Sequence, residues 1–397
     1  MIEHAEKLLK TIDRLLYAAE FNQLIEACKV ELLDARKRTD RESEAAALIG
    51  LAEAHRFIGK FRDARVYNDG AINYAQEVNA RELLARALIV SGSLFMMERY
   101  HLDEAETDYR AALNLAHEIQ ASESVIAALA GIAAVLQEVG NQQRALNYAR
   151  EVFELARETG AVFYMTIALG IMGSVFAHEN QHEKALKTYQ DALEICQQNN
   201  LKILEGGLIG SIGIIMIETK RYLEEGFLMM QRSIEMAQTI HCIPQEFIAL
   251  YRMGNTHRLQ ANYPAAQEFF ETMLQKAQIW KNRPYEAISF YELGRLHLYT
   301  AAYDEALVNL EQALLINRET MNPFSEAQAE TVMGYVCSLQ HDYDAALDHY
   351  MAARVLYDAL DDPSHARAMM QAIVITYISR FFDRILRFFG LRKRDDD

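Results

Sequence analysis

The chain has 397 residues, 51% of them hydrophobic, and a formal net charge of −16, so it holds enough apolar material for a large core. The acidic balance argues against nucleic acid as the main ligand, because a phosphate-tracking surface needs clustered Lys and Arg. Four cysteines, Cys28, Cys196, Cys242 and Cys337, form no CxxC pair, which points to reduced thiols of a cytoplasmic protein and not to a disulfide frame.

The vocabulary is helical throughout. Ala, Leu, Glu, Gln, Arg and Met recur everywhere, five prolines and eighteen glycines are few, and β-branched runs with period-two alternation are missing. The N-terminal MIEHAEKLLKTIDRLL is amphipathic and charged, without the apolar stretch of a secretory signal. Beyond it a small residue recurs at Ala64, Ala105, Ala145, Ala185, Gly226, Ala266, Ala306 and Ala346, at gaps of 40 or 41 residues. One step back lands on Leu24 in a degenerate first copy, which makes about nine copies.

Within the fifth and sixth copies lie two strings that resemble chemical motifs. HENQH (178–182) satisfies the HExxH pattern of zinc proteases. That pattern needs an unbroken helix, whereas Asn180 falls on the predicted turn between two helices, so the expectation is a polar turn and no metal. EGGLIGSIGIIMIETK (205–220) holds Gly206, Gly207, Gly210 and Gly213 among isoleucines. Its uncharged core of about 12 residues is too short to span a bilayer, which takes about 20. A phosphate loop would need a preceding strand. Gly213 instead falls in series with Gly173, Gly254, Gly294 and Gly334, so the stretch reads as a first helix, with close backbone approach as the expected reason for the extra glycines.

The last three copies are the clearest: YRMGNTHRLQANYPAAQEFF (251–270), YELGRLHLYTAAYDEALVNL (291–310) and TVMGYVCSLQHDYDAALDHY (331–350). Each has Gly, Tyr nine residues on and Ala three further. Pro244, Pro284, Pro323 and Pro363 keep the same beat, where one hairpin ends and the next begins. Each copy therefore reads as two helices of about 14 to 17 residues joined by a tight turn, stacked on its neighbours to complete the core.

These residues resemble the tetratricopeptide repeat in a 40-residue form, over roughly residues 1–362. The family's first-helix Trp is missing; Trp280 lies near the end of a second helix. The resemblance implies an all-α fold, a right-handed α-solenoid of about nine hairpins whose concave groove is lined by the first helices. It implies a non-catalytic scaffold that binds a protein or peptide segment, with no cofactor. A peptide-sensing regulator, resembling bacterial tetratricopeptide pheromone receptors, is the alternative. Those receptors carry a separate N-terminal effector module, whereas here the repeats are read from about residue 1.

The stripe of the first helices expected to face the groove is polar and aromatic in the last copies: Tyr251, Asn255 and Arg258, then Tyr291, Arg295 and Tyr299, then Tyr335. Aromatics beside forked Arg donors suit an extended peptide and its carboxylates. In the middle copies the stripe is small and apolar, with Gly207, Gly210 and Ile214 as its centre and Ala127, Ala130 and Ile217 along it. His257 and His297 share one repeat position with Cys337, which reads as packing, and no catalytic set can be assembled.

After Pro363 the register breaks, and residues 363–397 read as a separate capping or amphipathic basic helix. Where a turn is due the sequence has Phe381, Phe382 and Asp383, so the helix is expected to run on, capped by Ser364 and Gly390. Phe381, Phe382, Ile385, Phe388 and Phe389 share its apolar face with Ile378, opposite Arg380, Arg384 and Arg387. Such a helix covers the last repeat, binds a partner, or lies on a membrane surface.

Overall fold

In the structure, a computed structural model, residues 2–98 and 101–388 are described. Phe389 and Gly390 lie outside the described residues, as does the side chain of Phe388. The described residues form nineteen helices, most of them 17 residues long, and no strand.

Two compact units divide the chain at residues 249 and 250. The first holds the hairpins α1 (Ile2–Tyr17) with α2 (Phe21–Arg38), α3 (Arg41–Phe57) with α4 (Phe61–Glu77) and α5 (Arg81–Glu98) with α6 (Leu102–Glu118). It continues with α7 (Ser122–Glu138) and α8 (Gln142–Thr159), α9 (Val162–His178) and α10 (His182–Gln198), and α11 (Lys202–Glu218) and α12 (Leu223–Thr239). The division falls inside α13 (Ile243–Leu259). The second unit pairs that helix with α14 (Tyr263–Ile279), α15 (Arg283–Tyr299) with α16 (Tyr303–Glu319), and α17 (Pro323–Leu339) with α18 (Tyr343–Ala359). A final helix, α19 (Pro363–Phe388), follows alone.

The chain reverses by one device. From Gln120 to Asp361 a residue with positive φ recurs every 20 or 21 residues, two per repeat, and only Gly140 and Gly160 among them are glycines. After α17, for example, His341 (φ 63°) donates its N–H to the Ser338 carbonyl at 3.2 Å, and Asp342 donates to that of Cys337 at 2.9 Å. These paired bonds satisfy carbonyls that a helix end leaves open. The next helix starts at once, often on a side-chain cap: Asp40, Asn141, Asn282, Asn322 and Asp342 each accept a backbone N–H three residues on. Pro284, Pro323 and Pro363 occupy the first turn of their helices, where the missing N–H has no partner to lose.

The glycine series marks where the two helices of a hairpin touch. A Cβ placed on Gly173 would lie 2.7 Å from the Tyr189 ring, on Gly254 2.6 Å from Phe270, on Gly294 2.7 Å from Leu310 and on Gly334 2.7 Å from Tyr350. Gly213 meets the Gly226 carbonyl in the same way. Gly206 differs. An added Cβ there would rest 3.6 Å from Met236, and one on Gly207 would meet nothing within 4 Å. Close approach by a neighbouring helix therefore does not account for those two glycines.

The C-terminal helix runs on through residues 381–383, as expected. Its cap is not Ser364: Asp362 accepts the His365 N–H at 3.1 Å. The face that covers the last hairpin also differs from the phenylalanine face. Ala366, Met369, Ile373, Thr376 and Asp383 are the buried residues, whereas Ile378, Phe381 and Phe382 are exposed and Ile385 is partly so.

Candidate functional site

In the second unit, α13 and α15 bring seven side chains into one cluster. Tyr251, Asn255 and Arg258 come from α13, and Tyr291, Glu292, Arg295 and Tyr299 from α15. The helical spacing of three and four places the residues from each helix on one face. Arg258 donates from Nε and Nη2 to Asn255 Oδ1, at 3.2 and 2.5 Å, and its guanidinium carbon stands 5.0 Å from the centre of the Tyr299 ring. Arg295 donates from Nη1 to both Glu292 oxygens, at 3.0 and 3.3 Å, and stands 5.5 Å from the centre of the Tyr291 ring. A cation over an aromatic face is held in place without being fully desolvated.

The charges of this cluster are interlocked. Burial raises the Glu292 carboxyl above its usual range, opposed by Arg295 and then Arg258. Burial likewise pushes Tyr291 up to about 12, with Arg295 acting the other way. Arg295 is itself disfavoured by burial, yet Glu292 and the tyrosines around it more than offset this and keep it charged. Both guanidinium forks are thus partly satisfied from within: one by an amide, the other by a carboxylate. Tyr299 is half exposed, and Arg258 and Tyr251 are partly so. Tyr335, on α17, is also half exposed and lies by Tyr350 on α18, whose pKa is raised by burial first and by Tyr335 in addition.

Glu292 did not stand out in the sequence, although its spacing of three from Arg295 was a usable signal. In the first unit a second network had no such signal. Arg86 on α5 donates to Asp13 on α1 at 3.2 Å and pairs with Glu123 on α7 at 3.4 Å. Tyr17 of α1 stacks on Phe163 of α9, ring centres 3.9 Å apart. Burial raises the Asp13 carboxyl, opposed by Arg86. These contacts join residues up to 146 positions apart, from Tyr17 to Phe163, and follow from the winding of the hairpins, not from local pattern.

The small apolar stripe of the middle hairpins is mixed. Gly207 is exposed, Ile214 is partly exposed and Gly210 is buried. Ala127 and Ala130 are also buried, and Ala130 packs in a cluster with Ala168 and Tyr164 of the neighbouring first helix. His178 ends α9 and His182 begins α10, with Asn180 (φ 59°) between them. His257 stacks on Phe269 with ring centres 5.6 Å apart, and burial lowers its pKa. Among the described residues no group of three or more His, Cys, Asp or Glu is placed to hold a metal ion.

Two family models, both described as tetratricopeptide repeat, match residues 125–159 and 245–319. The second match spans the α13–α15 cluster. The 43 kDa receptor-associated protein of the synapse from Tetronarce californica is 23% identical over 247 residues, which cover 56% of this chain and 60% of that relative. Among solved structures, a Rap protein complexed with competence and sporulation factor superposes with a TM-score of 0.61 at 15% identity, covering 91% of this chain and 99% of that one. A signal-transduction ATPase with numerous domains and a tetratricopeptide repeat sensor, from Pyrococcus horikoshii, gives 0.50 at 16% identity, covering 88% of this chain and 56% of that one. At such identities the likeness is one of fold.

Proposed function

Because the chain is a tetratricopeptide-repeat protein with an all-α solenoid fold, we propose that it is a non-catalytic scaffold that captures a protein or peptide segment on the face built by α13 and α15. The observation that carries this reading is the pair of guanidinium groups, Arg258 and Arg295, each standing by a tyrosine ring on adjacent first helices. Rigid aromatics and pre-positioned Arg donors are the residue types that dominate binding energy at protein interfaces. Half-exposed Tyr299 and Tyr335 extend the same character along the stack, with an extended segment that carries carboxylates as the ligand best matched to it.

The test is a peptide selected from a displayed library on the full chain, its affinity then measured for Arg258→Ala with Tyr299→Ala. A loss of at least about tenfold is expected from removing one cation and one aromatic anchor, with circular dichroism unchanged. Undiminished affinity overturns the reading. Arg295 is a poorer probe, because its removal strands the buried Glu292.

A second reading, a peptide-sensing regulator, draws support from the first unit. There Arg86 ties α1 to α5 and α7, and the Tyr17–Phe163 stack ties α1 to α9, so a ligand that displaced α1 would change the winding. The Rap protein of like fold is complexed with competence and sporulation factor. Solution scattering with and without the selected peptide separates the two: a scaffold keeps its radius of gyration, a switch does not.

A further inference from the structure

α19 continues the register of the first helices, but no second helix pairs with it among the described residues. Met369, Ile373 and Thr376 are buried on the side of α18. They fall 40 residues after Ala329, Met333 and Val336, which pack α17 on the helix before it. The face by which α17 meets its own partner is marked by Ala327, Gly334 and Cys337. Forty residues on, α19 has Arg367, Val374 and Tyr377. Val374 and Tyr377 are both about half exposed, and beside them Met370, Ile378, Phe381 (61%) and Phe382 (58%) lie open as well.

The close packing of α17 on α18 cannot be repeated on this face. At Gly334 even a single Cβ would come within 2.7 Å of the Tyr350 ring, and Val374 fills that position with a branched side chain. A lipid boundary imposes no such fixed spacing. Charge favours an anionic one. From Ile378 to Arg394 the sequence has six basic residues, Arg380, Arg384, Arg387, Arg392, Lys393 and Arg394, against the single Asp383, in a chain of net charge −16. Arg380 is tied to Asp344 of α18 at 2.6 Å, which fixes the helix to the hairpin stack, whereas Arg384 is exposed. No helix among the described residues is long and apolar enough to cross a membrane.

We propose that α19 docks its Met370–Val374–Phe381–Phe382 face into the interfacial layer of an anionic lipid membrane, lying along the surface. Phenylalanines enter the acyl boundary while exposed Arg384 reaches the headgroups, the arrangement that suits a basic amphipathic helix. The remainder of the chain, being acidic, is repelled by the same surface, so contact is confined to this end. The surface is separate from the α13–α15 face and stands or falls independently of the peptide reading.

The test is co-sedimentation of the full chain with phosphatidylcholine vesicles, with and without phosphatidylserine, at low and high salt. Binding to the anionic vesicles is expected, weakened about tenfold or more by omitting phosphatidylserine or by Phe381→Glu with Phe382→Glu. Both side chains are exposed, so that variant keeps its fold. A Phe381→Trp variant gives an independent readout, a blue-shifted emission on anionic vesicles above that of Trp280. Absence of binding, binding unaffected by the double variant, or no shift from the new Trp overturns the proposal. So does a dimer, seen by light scattering, that the double variant dissociates while vesicles bind neither form.

Discussion

Glycine at Gly334 and glycine at Gly207 sit in helix interiors of the same kind, yet their surroundings give a substitution opposite signs. A methyl at Gly334 would press 2.7 Å from Tyr350, inside any normal carbon contact, whereas one at Gly207 would meet nothing within 4 Å. Alanine is the better helix former by roughly 1 kcal/mol. At Gly207 that preference is unopposed, and Gly207→Ala should raise stability by up to about 1 kcal/mol. At Gly334 the Tyr350 ring must move, and overpacking costs about 1–3 kcal/mol, so Gly334→Ala should lower the urea midpoint. Equal shifts of one sign would show that the close approach at Gly334 carries no weight. The exposed Gly207 thus keeps a helix-weakening residue for which the packing gives no reason, which is consistent with a ligand-facing position on α11.

A helix in this protein is specified at its ends as much as along its faces, and the two kinds of information differ in how far the sequence exposes them. The 40-residue beat was legible in Gly254, Gly294 and Gly334 because close packing admits only the smallest residue there. The 20-residue beat of the turns was not, because Ala261, Lys281, Ala301, Met321 and His341 take positive φ with side chains of no common type. There the paired backbone bonds of the helix end outweigh the roughly 1 kcal/mol cost of a left-handed residue. Likewise Ser364 looked like a cap, but Asp362 stands at the true first position.

The α17–α18 pair holds a pH-dependent link that sequence spacing also hid. His349 on α18 is held by Cys337 and by Glu330, whose carboxylate it meets at 2.6 Å and which also accepts from Arg318 at 3.0 Å. These partners raise its pKa to about 9. A raised histidine binds its proton more tightly folded than unfolded. Its stabilisation is therefore complete below about pH 6.5 and is lost as pH rises through about 9. Because the site is partly open to solvent, the loss should be on the order of 1 kcal/mol. Urea midpoints from pH 6 to pH 10 should fall for the parent chain and stay flat for His349→Gln; parallel curves would remove His349 as the cause.

A stack of hairpins in which each touches mainly its neighbours passes strain over short range, so the chain should not respond to damage as one body. The contacts divide it into residues 1–249 and 250–397, and each unit has a fastening of its own. In the first, Arg86 neutralises Asp13 and Glu123 on different helices; removing it leaves the partly buried Asp13 carboxyl without its partner, at a cost of about 1–2 kcal/mol. In the second, Gly334 lets α17 settle against α18. Hydrogen exchange read by mass spectrometry should therefore separate Arg86→Ala from Gly334→Ala. The first variant should speed exchange in α1, α5 and α7 while leaving α15 to α18 at the parent rate, and the second should do the reverse. A uniform acceleration in either variant would mean that the chain opens as a single cooperative unit, whatever its contacts suggest. The division itself could not be read from the sequence, because it falls inside α13, a single continuous helix with no linker composition to mark it.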